Sequence, residues 1–165
     1  MKVLVLEDDQ ERIAWFAHVF PKGVELIWTY TVRDFLTRLA ALRNSDELAL
    51  VLLDHDLFLM KKKEMMKRGQ LGVGFEDYMT DINGECGMTA VVKMPFVKCP
   101  TIVHSANEED GPRMYKKLLK RGFDAHYFPY HMKRIDLRDK ILRVLSKKNT
   151  RHQKKRSLSA PFPFA

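Results

Sequence analysis

The chain has 165 residues, of which 45% are apolar, 30% charged and 10% aromatic, the composition of one domain with a sizeable core rather than a disordered chain. No apolar run approaches the roughly 20 residues that span a bilayer, and Met1 to Leu6 meets acids at Glu7, Asp8 and Asp9, unlike a signal peptide; the expectation is a cytoplasmic protein with no membrane partner. The net charge is +8, but six bases (Lys147, Lys148, Arg151, Lys154, Lys155, Arg156) and no acid fall between 146 and 165, and removing these six from the 29 leaves 23 basic against 21 acidic residues in the first 145.

In chain order, five short apolar runs alternate with helix-period segments, the pattern of an α/β domain with a mostly parallel sheet. Lys2 to Leu6 is a continuous apolar run of strand length, and Glu7, Asp8 and Asp9 close it. Gln10 to Phe20 places Ile13, Phe16, Ala17 and Phe20 at helical spacing. Glu25 to Thr29 is a weaker second strand. Thr31 is an N-cap candidate for a helix carrying Val32, Phe35, Leu36 and Leu39. Leu48 to Leu53 is the most apolar run and the expected central strand, ending at Asp54-His55-Asp56. More than 30 residues then separate it from a helical pattern near Met88, far beyond an ordinary strand-to-helix loop. The core of this insertion, about 58–82, holds the basic cluster Lys61 to Arg68, and its place at a strand's carboxyl end suggests a lid or substrate-contacting element. Thr101 to His104 and Ala125 to Phe128 complete the strands. Asp110 to Arg121, with Met114, Leu118 and Leu119, precedes Gly122 at a C′ position. Ile135 to Leu145 is a last amphipathic helix, its stripe drawn through Ile135, Leu137, Ile141, Leu142 and Leu145. The tail ends Pro161-Phe162-Pro163-Phe164-Ala165. Cys86 and Cys99 have neither CxxC spacing nor a neighbouring His cluster, and read as free thiols.

The acids carry the chemistry. Glu7, Asp8 and Asp9 follow the first strand, while Asp54 and Asp56 follow the third. If those strands are neighbours, Asp8 and Asp54 meet at one sheet edge. Such carboxylates repel unless a cation joins them, and hard oxygen ligands without sulfur favour Mg2+ or Mn2+, with a substrate phosphate as natural further ligand. The expected metal ligands are Glu7, Asp8, Asp54 and Asp56, although Asp9 alone reads equally as a helix N-cap. Side-chain alternation puts Asp54 and Asp56 on one face and His55 on the other. Gly72-Val73-Gly74 lacks the Gly-Lys-Ser/Thr of a phosphate loop, and no GxSxG elbow occurs.

Val5 to Asp9, the strand ending at Asp54, and Val103-His104-Ser105-Ala106 resemble the receiver domain of two-component response regulators over residues 1–145. The resemblance implies a doubly wound, flavodoxin-like five-stranded parallel sheet in the order 2-1-3-4-5 with five flanking helices. It also implies Mg2+ on Glu7 and Asp8, Asp54 in the phosphoacceptor's place, and Ser105 as the hydroxyl residue contacting the phosphoryl group. Where receivers carry Lys-Pro after the fifth strand, this chain has Phe128-Pro129, with Lys133 the next lysine. Leu53 to Leu57 (LDHDL) and Val103 to Asn107 (VHSAN), trailed by Arg113-Met114, further resemble a divergent receiver-like family associated with cyclic phosphates.

A cyclic phosphodiester needs phosphate charge neutralised, water activated and a proton for the leaving alkoxide. The metal ligands would serve the first, and His55 or His104, with an ordinary pKa near 6.5, the others. Ser105, Asn107 and Arg113 would bind phosphate oxygens; His126 reads as structural. The expected catalytic set is Asp54, His104, Ser105 and His55, acting on a phosphate-containing small molecule. Two alternatives stay open: a stand-alone regulator phosphorylated on Asp54 and signalling to a protein partner, or a degenerate receiver whose basic insert or 146–165 tail binds nucleic acid or protein.

Overall fold

Each of the five apolar runs is a strand. β1 (Lys2–Leu6), β2 (Glu25–Thr29), β3 (Leu48–Leu53), β4 (Thr101–Ser105) and β5 (Ala125–Pro129) pair in parallel, in the order β2-β1-β3-β4-β5. The computed structural model describes residues 1–55, 57, 86–129, 132 and 135–146. Asp56, Lys133, the insertion at 58–82 and the tail beyond Ser146 lie outside the described residues. β3 is buried at all six positions, as a central strand covered on both faces must be.

Five helices flank the sheet among the described residues: α1 (Gln10–Val19), α2 (Val32–Leu42), α3 (Gly87–Lys93), α4 (Asp110–Lys120) and α5 over 135–146. Period-two alternation divides the core between the faces. Val3, Val5, Leu50, Leu52, Ile102 and Phe128 pack with Phe16 and Val19 of α1 and with Leu137, Ile141 and Val144 of α5. Leu4, Leu6, Val51, Leu53 and Val103 pack with Phe35 and Leu39 of α2, Ala90 and Val91 of α3, and Met114 and Leu118 of α4.

The helix termini follow local chemistry. Asp9 caps α1 by accepting the Glu11 amide at 2.9 Å, and Thr31 caps α2 by accepting that of Asp34 at 3.2 Å, each satisfying an otherwise orphaned donor. α4 ends in a Schellman turn: the amides of Gly122 and Phe123 donate to the carbonyls of Leu119 and Leu118, with Gly122 at φ +81°, a conformation that penalises any side chain.

Three expected stripes are corrected. On α1 the expected Phe16 and Phe20 are buried and Ile13 is half-buried, but Ala17 is exposed and Val19 is buried in its stead; the inward stripe therefore also takes in position 12. On α4 Leu119 is 45% exposed, and on α5 Ile135 is 66% exposed. At 100° per residue, Ile135 is displaced about 200° from Leu137 and cannot share its face. Cys86 and Cys99 are free thiols.

Candidate functional site

The carboxyl ends of β1, β3 and β4 lie side by side at one edge; the Asp54 amide donates to the Leu6 carbonyl (3.0 Å), tying β3 to β1, and the Glu7 amide to the Thr29 carbonyl (3.1 Å), tying β1 to β2. Glu7, Asp8 and Asp54 converge there, with one carboxylate oxygen from each lying within 4.8 Å of the others. Their exposures are 0%, 2% and 3%, so water does little to screen them. At that spacing and an effective dielectric of about 20, each pair of full negative charges opposes by roughly 3 kcal/mol. The cluster needs a cation or a proton.

Both responses are present. Burial, and next the charge of Asp54, push the Glu7 carboxyl up to about 8, against the pull of Arg12 and of the Asp9 backbone. The cation is Arg12, in the first turn of α1. Its Nε lies 3.0 Å from Glu7 Oε2 and its Nη1 3.2 Å from Asp54 Oδ2. Its Nη2 donates to the His104 carbonyl at 2.9 Å and meets His104 Nδ1 at 2.6 Å. Glu7 Oε1 meanwhile accepts the amides of Asp8 and Asp9, each at 3.0 Å. Because Arg12 sits four residues before Phe16 and seven before Val19, the stripe that buries those two carries the guanidinium into the site.

His104 belongs to this group. The guanidinium can only donate, so Nδ1 accepts and the neutral ring carries its proton on Nε2. Burial first, and the Arg12 charge second, hold its pKa down to about 3, well below the ordinary imidazole value expected of a proton donor. The ring also sits edge-on to Phe16 at 6.0 Å. Its register partner on β5 is Phe128, which is buried in the core with Lys140 Nζ 5.4 Å from its ring centre.

The remaining expected residues have partners of their own. His55 Nε2 is 3.5 Å from Asp110 Oδ2 on α4. Ser105 is buried, and its Oγ accepts the Asn107 amide at 3.0 Å. Asn107 Oδ1 accepts the amides of Glu109 and Asp110, at 3.1 and 2.7 Å, so that oxygen secures the start of α4. Arg113 is 65% exposed and pairs with Glu109 and Asp110 along its own helix. Asp9 is the cap of α1. Asp56 lies outside the described residues.

Sequence reasoning missed Arg12 and Gly87. Arg12 was legible only through the correct phase of the α1 stripe. Gly87 opens α3 directly on the third strand's end: its amide donates to the His55 carbonyl at 2.9 Å, and a Cβ there would fall 2.0 Å from the Asp54 carbonyl oxygen.

Compared with family models and with curated proteins, the chain matches none. Among solved structures it resembles a CheY-like response regulator receiver domain protein from Methanospirillum hungatei JF-1, with a TM-score of 0.58 at 16% identity over 91% of this chain and 97% of that one. It also resembles the N-terminal domain of a response regulator/sensory box/GGDEF 3-domain protein from Carboxydothermus hydrogenoformans, with a TM-score of 0.56 at 16% identity over 92% and 98%. The described domain has the fold of CheY-like response regulator receiver domains, with a buried acid cluster at the carboxyl edge of its sheet.

Proposed function

We propose that this edge is a phosphate-processing site: Asp8 and Asp54, backed by Glu7, hold Mg2+ or Mn2+, and a phosphate ester binds beside them. The single observation that carries the reading is the convergence of three buried carboxylates within 4.8 Å of one another. An all-oxygen set of this kind fits a hard divalent ion. When bound, such an ion neutralises phosphate charge and lowers the pKa of a coordinated water.

The substrate class we favour is a cyclic phosphate, because the LDHDL and VHSAN strings end on the same two strand ends, β3 and β4. Hydrolysis adds water across one ring P–O bond: the water oxygen bonds to phosphorus, the ring ester bond breaks, and the departing alkoxide takes the proton that the attacking water gives up. In this reading Asp54 and Arg12 order the charge around the phosphate. His104, neutral and accepting from Arg12, fixes that guanidinium rather than supplying the proton.

A second reading has its own support. His104, held as an acceptor by Arg12, is not placed to donate a proton, which suits a site where the Asp54 carboxylate itself accepts a phosphoryl group and the donor's leaving group departs. A phosphorus NMR time course with Mg2+ and a panel of cyclic phosphates, run beside Asp54→Asn, separates the two. Conversion of a cyclic resonance to a monoester by wild type alone supports hydrolysis. No turnover, together with a phosphoryl adduct on Asp54 after incubation with acetyl phosphate and Mg2+, replaces it with the acceptor reading; neither result refutes the phosphate assignment.

A further inference from the structure

We infer that Arg12 is the resident counter-cation of the acid cluster and competes with a divalent ion for Glu7 and Asp54. The inference rests on the metal-binding part of the function proposed above and assigns a regulating residue to that site. Arg12 engages two of the three convergent carboxylates, at 3.0 and 3.2 Å. It is not a mobile surface group: its side chain is 11% exposed, and its Nη2 is tied to the carboxyl end of β4 through the carbonyl and ring of His104. The α1 cap at Asp9 and the buried pair Phe16 and Val19 set the helix phase that delivers it.

An ion entering this site meets two penalties. It is repelled by a fixed positive charge a few ångströms away, and it must share or take carboxylate oxygens that the guanidinium already holds. Glu7 is the more committed partner, since its other oxygen accepts two backbone amides. By linkage, whatever Arg12 costs the ion, the ion costs Arg12 in equal measure. Metal occupancy and the Arg12 hold on Asp54 are therefore coupled, and the cluster keeps a balancing charge when no metal is bound.

Competition and mere structural support predict opposite signs. If Arg12 only braced the site, removing it would loosen the carboxylates and weaken metal binding. Competition predicts that removal tightens it. The experiment is a titration of the full chain with Mn2+, reading free Mn2+ by electron paramagnetic resonance, for wild type, Arg12→Gln, Arg12→Lys and Asp54→Asn. Arg12→Gln should bind Mn2+ at least about ten-fold more tightly than wild type. Arg12→Lys keeps the charge but loses the two-carboxylate fork, and should fall between the two. Asp54→Asn should lose the binding. Should Arg12→Gln fail to fold without metal, the Arg12→Lys comparison decides: tighter binding than wild type supports competition, and equal or weaker binding overturns it. Equal affinity in wild type and both Arg12 variants overturns the inference while leaving the metal site standing. Absence of Mn2+ binding in every protein, or binding that survives Asp54→Asn, overturns both.

Discussion

Gly87→Ala tests how the third helix is seated on the site. A Cβ at position 87 would fall 2.0 Å from the Asp54 carbonyl oxygen, 2.8 Å from His55 Cα and 2.8 Å from Met114 Cε. Met114 can swing away, but the other two atoms are backbone at the end of β3 and cannot. To restore even a 3 Å separation, the start of α3 must retreat by about 1 Å, and that movement strains the 2.9 Å bond from the Gly87 amide to the His55 carbonyl. Overpacking of this kind costs about 1–3 kcal/mol, and loss of a buried backbone bond adds about 1 kcal/mol. The expected destabilisation is about 3 kcal/mol, or roughly 6–12 °C in Tm for a chain of this size. Urea unfolding followed by far-UV circular dichroism measures it. Gly122→Ala is the comparison: a Cβ there meets nothing within 4 Å, so only the left-handed backbone at φ +81° opposes it, at about 1 kcal/mol. If Gly87→Ala unfolds within 0.5 kcal/mol of wild type (about the spread of neutral surface substitutions), or costs less than Gly122→Ala, the seating described here is wrong.

Asp54→Asn should abolish turnover in the phosphorus NMR assay while leaving the circular dichroism spectrum intact; retained turnover would remove Asp54 from the chemistry. His104 predicts a pH dependence. The unfolded chain protonates this imidazole below about 6.5, whereas the folded one resists until about 3, so its contribution to stability is present above pH 6.5 and lost as pH falls toward 3. Glu7 acts oppositely: its folded pKa of about 8 lies above the ordinary carboxyl value of 4.5, so its contribution is present below pH 4.5 and lost as pH rises toward 8. The stability advantage of wild type over His104→Asn, read from urea midpoints, should accordingly shrink on acidification from pH 6.5; a constant difference would refute the assignment. Under the alternative in which the tail contacts nucleic acid, its six bases between 147 and 156 set the log-affinity against log-salt slope for duplex DNA at no steeper than about −5. Deleting residues 147–165 should abolish that salt dependence, and its persistence would move the contact elsewhere.

The fold was legible because its determinants are local and periodic. Continuous apolar runs such as Leu48 to Leu53 can only be buried on both faces, and their alternation with amphipathic helices implies a parallel sheet. Acids placed just after two such runs had to approach one another once β1 and β3 became neighbours, and Glu7, Asp8 and Asp54 do. Tertiary structure alone decided what each polar group faces. Arg12, among charged neighbours in a first helical turn, reads as solvated until the packing of Phe16 and Val19 rotates it inward. Asn107 and Ser105 have side chains suited to phosphate, yet local geometry engages their oxygens in the turn before α4. His104 has an ordinary imidazole in sequence, and only burial beside a guanidinium makes it a neutral acceptor. The pattern of apolar residues specifies which surfaces are buried; the charge state and partner of a buried polar group depend on the neighbours that packing brings from distant parts of the chain.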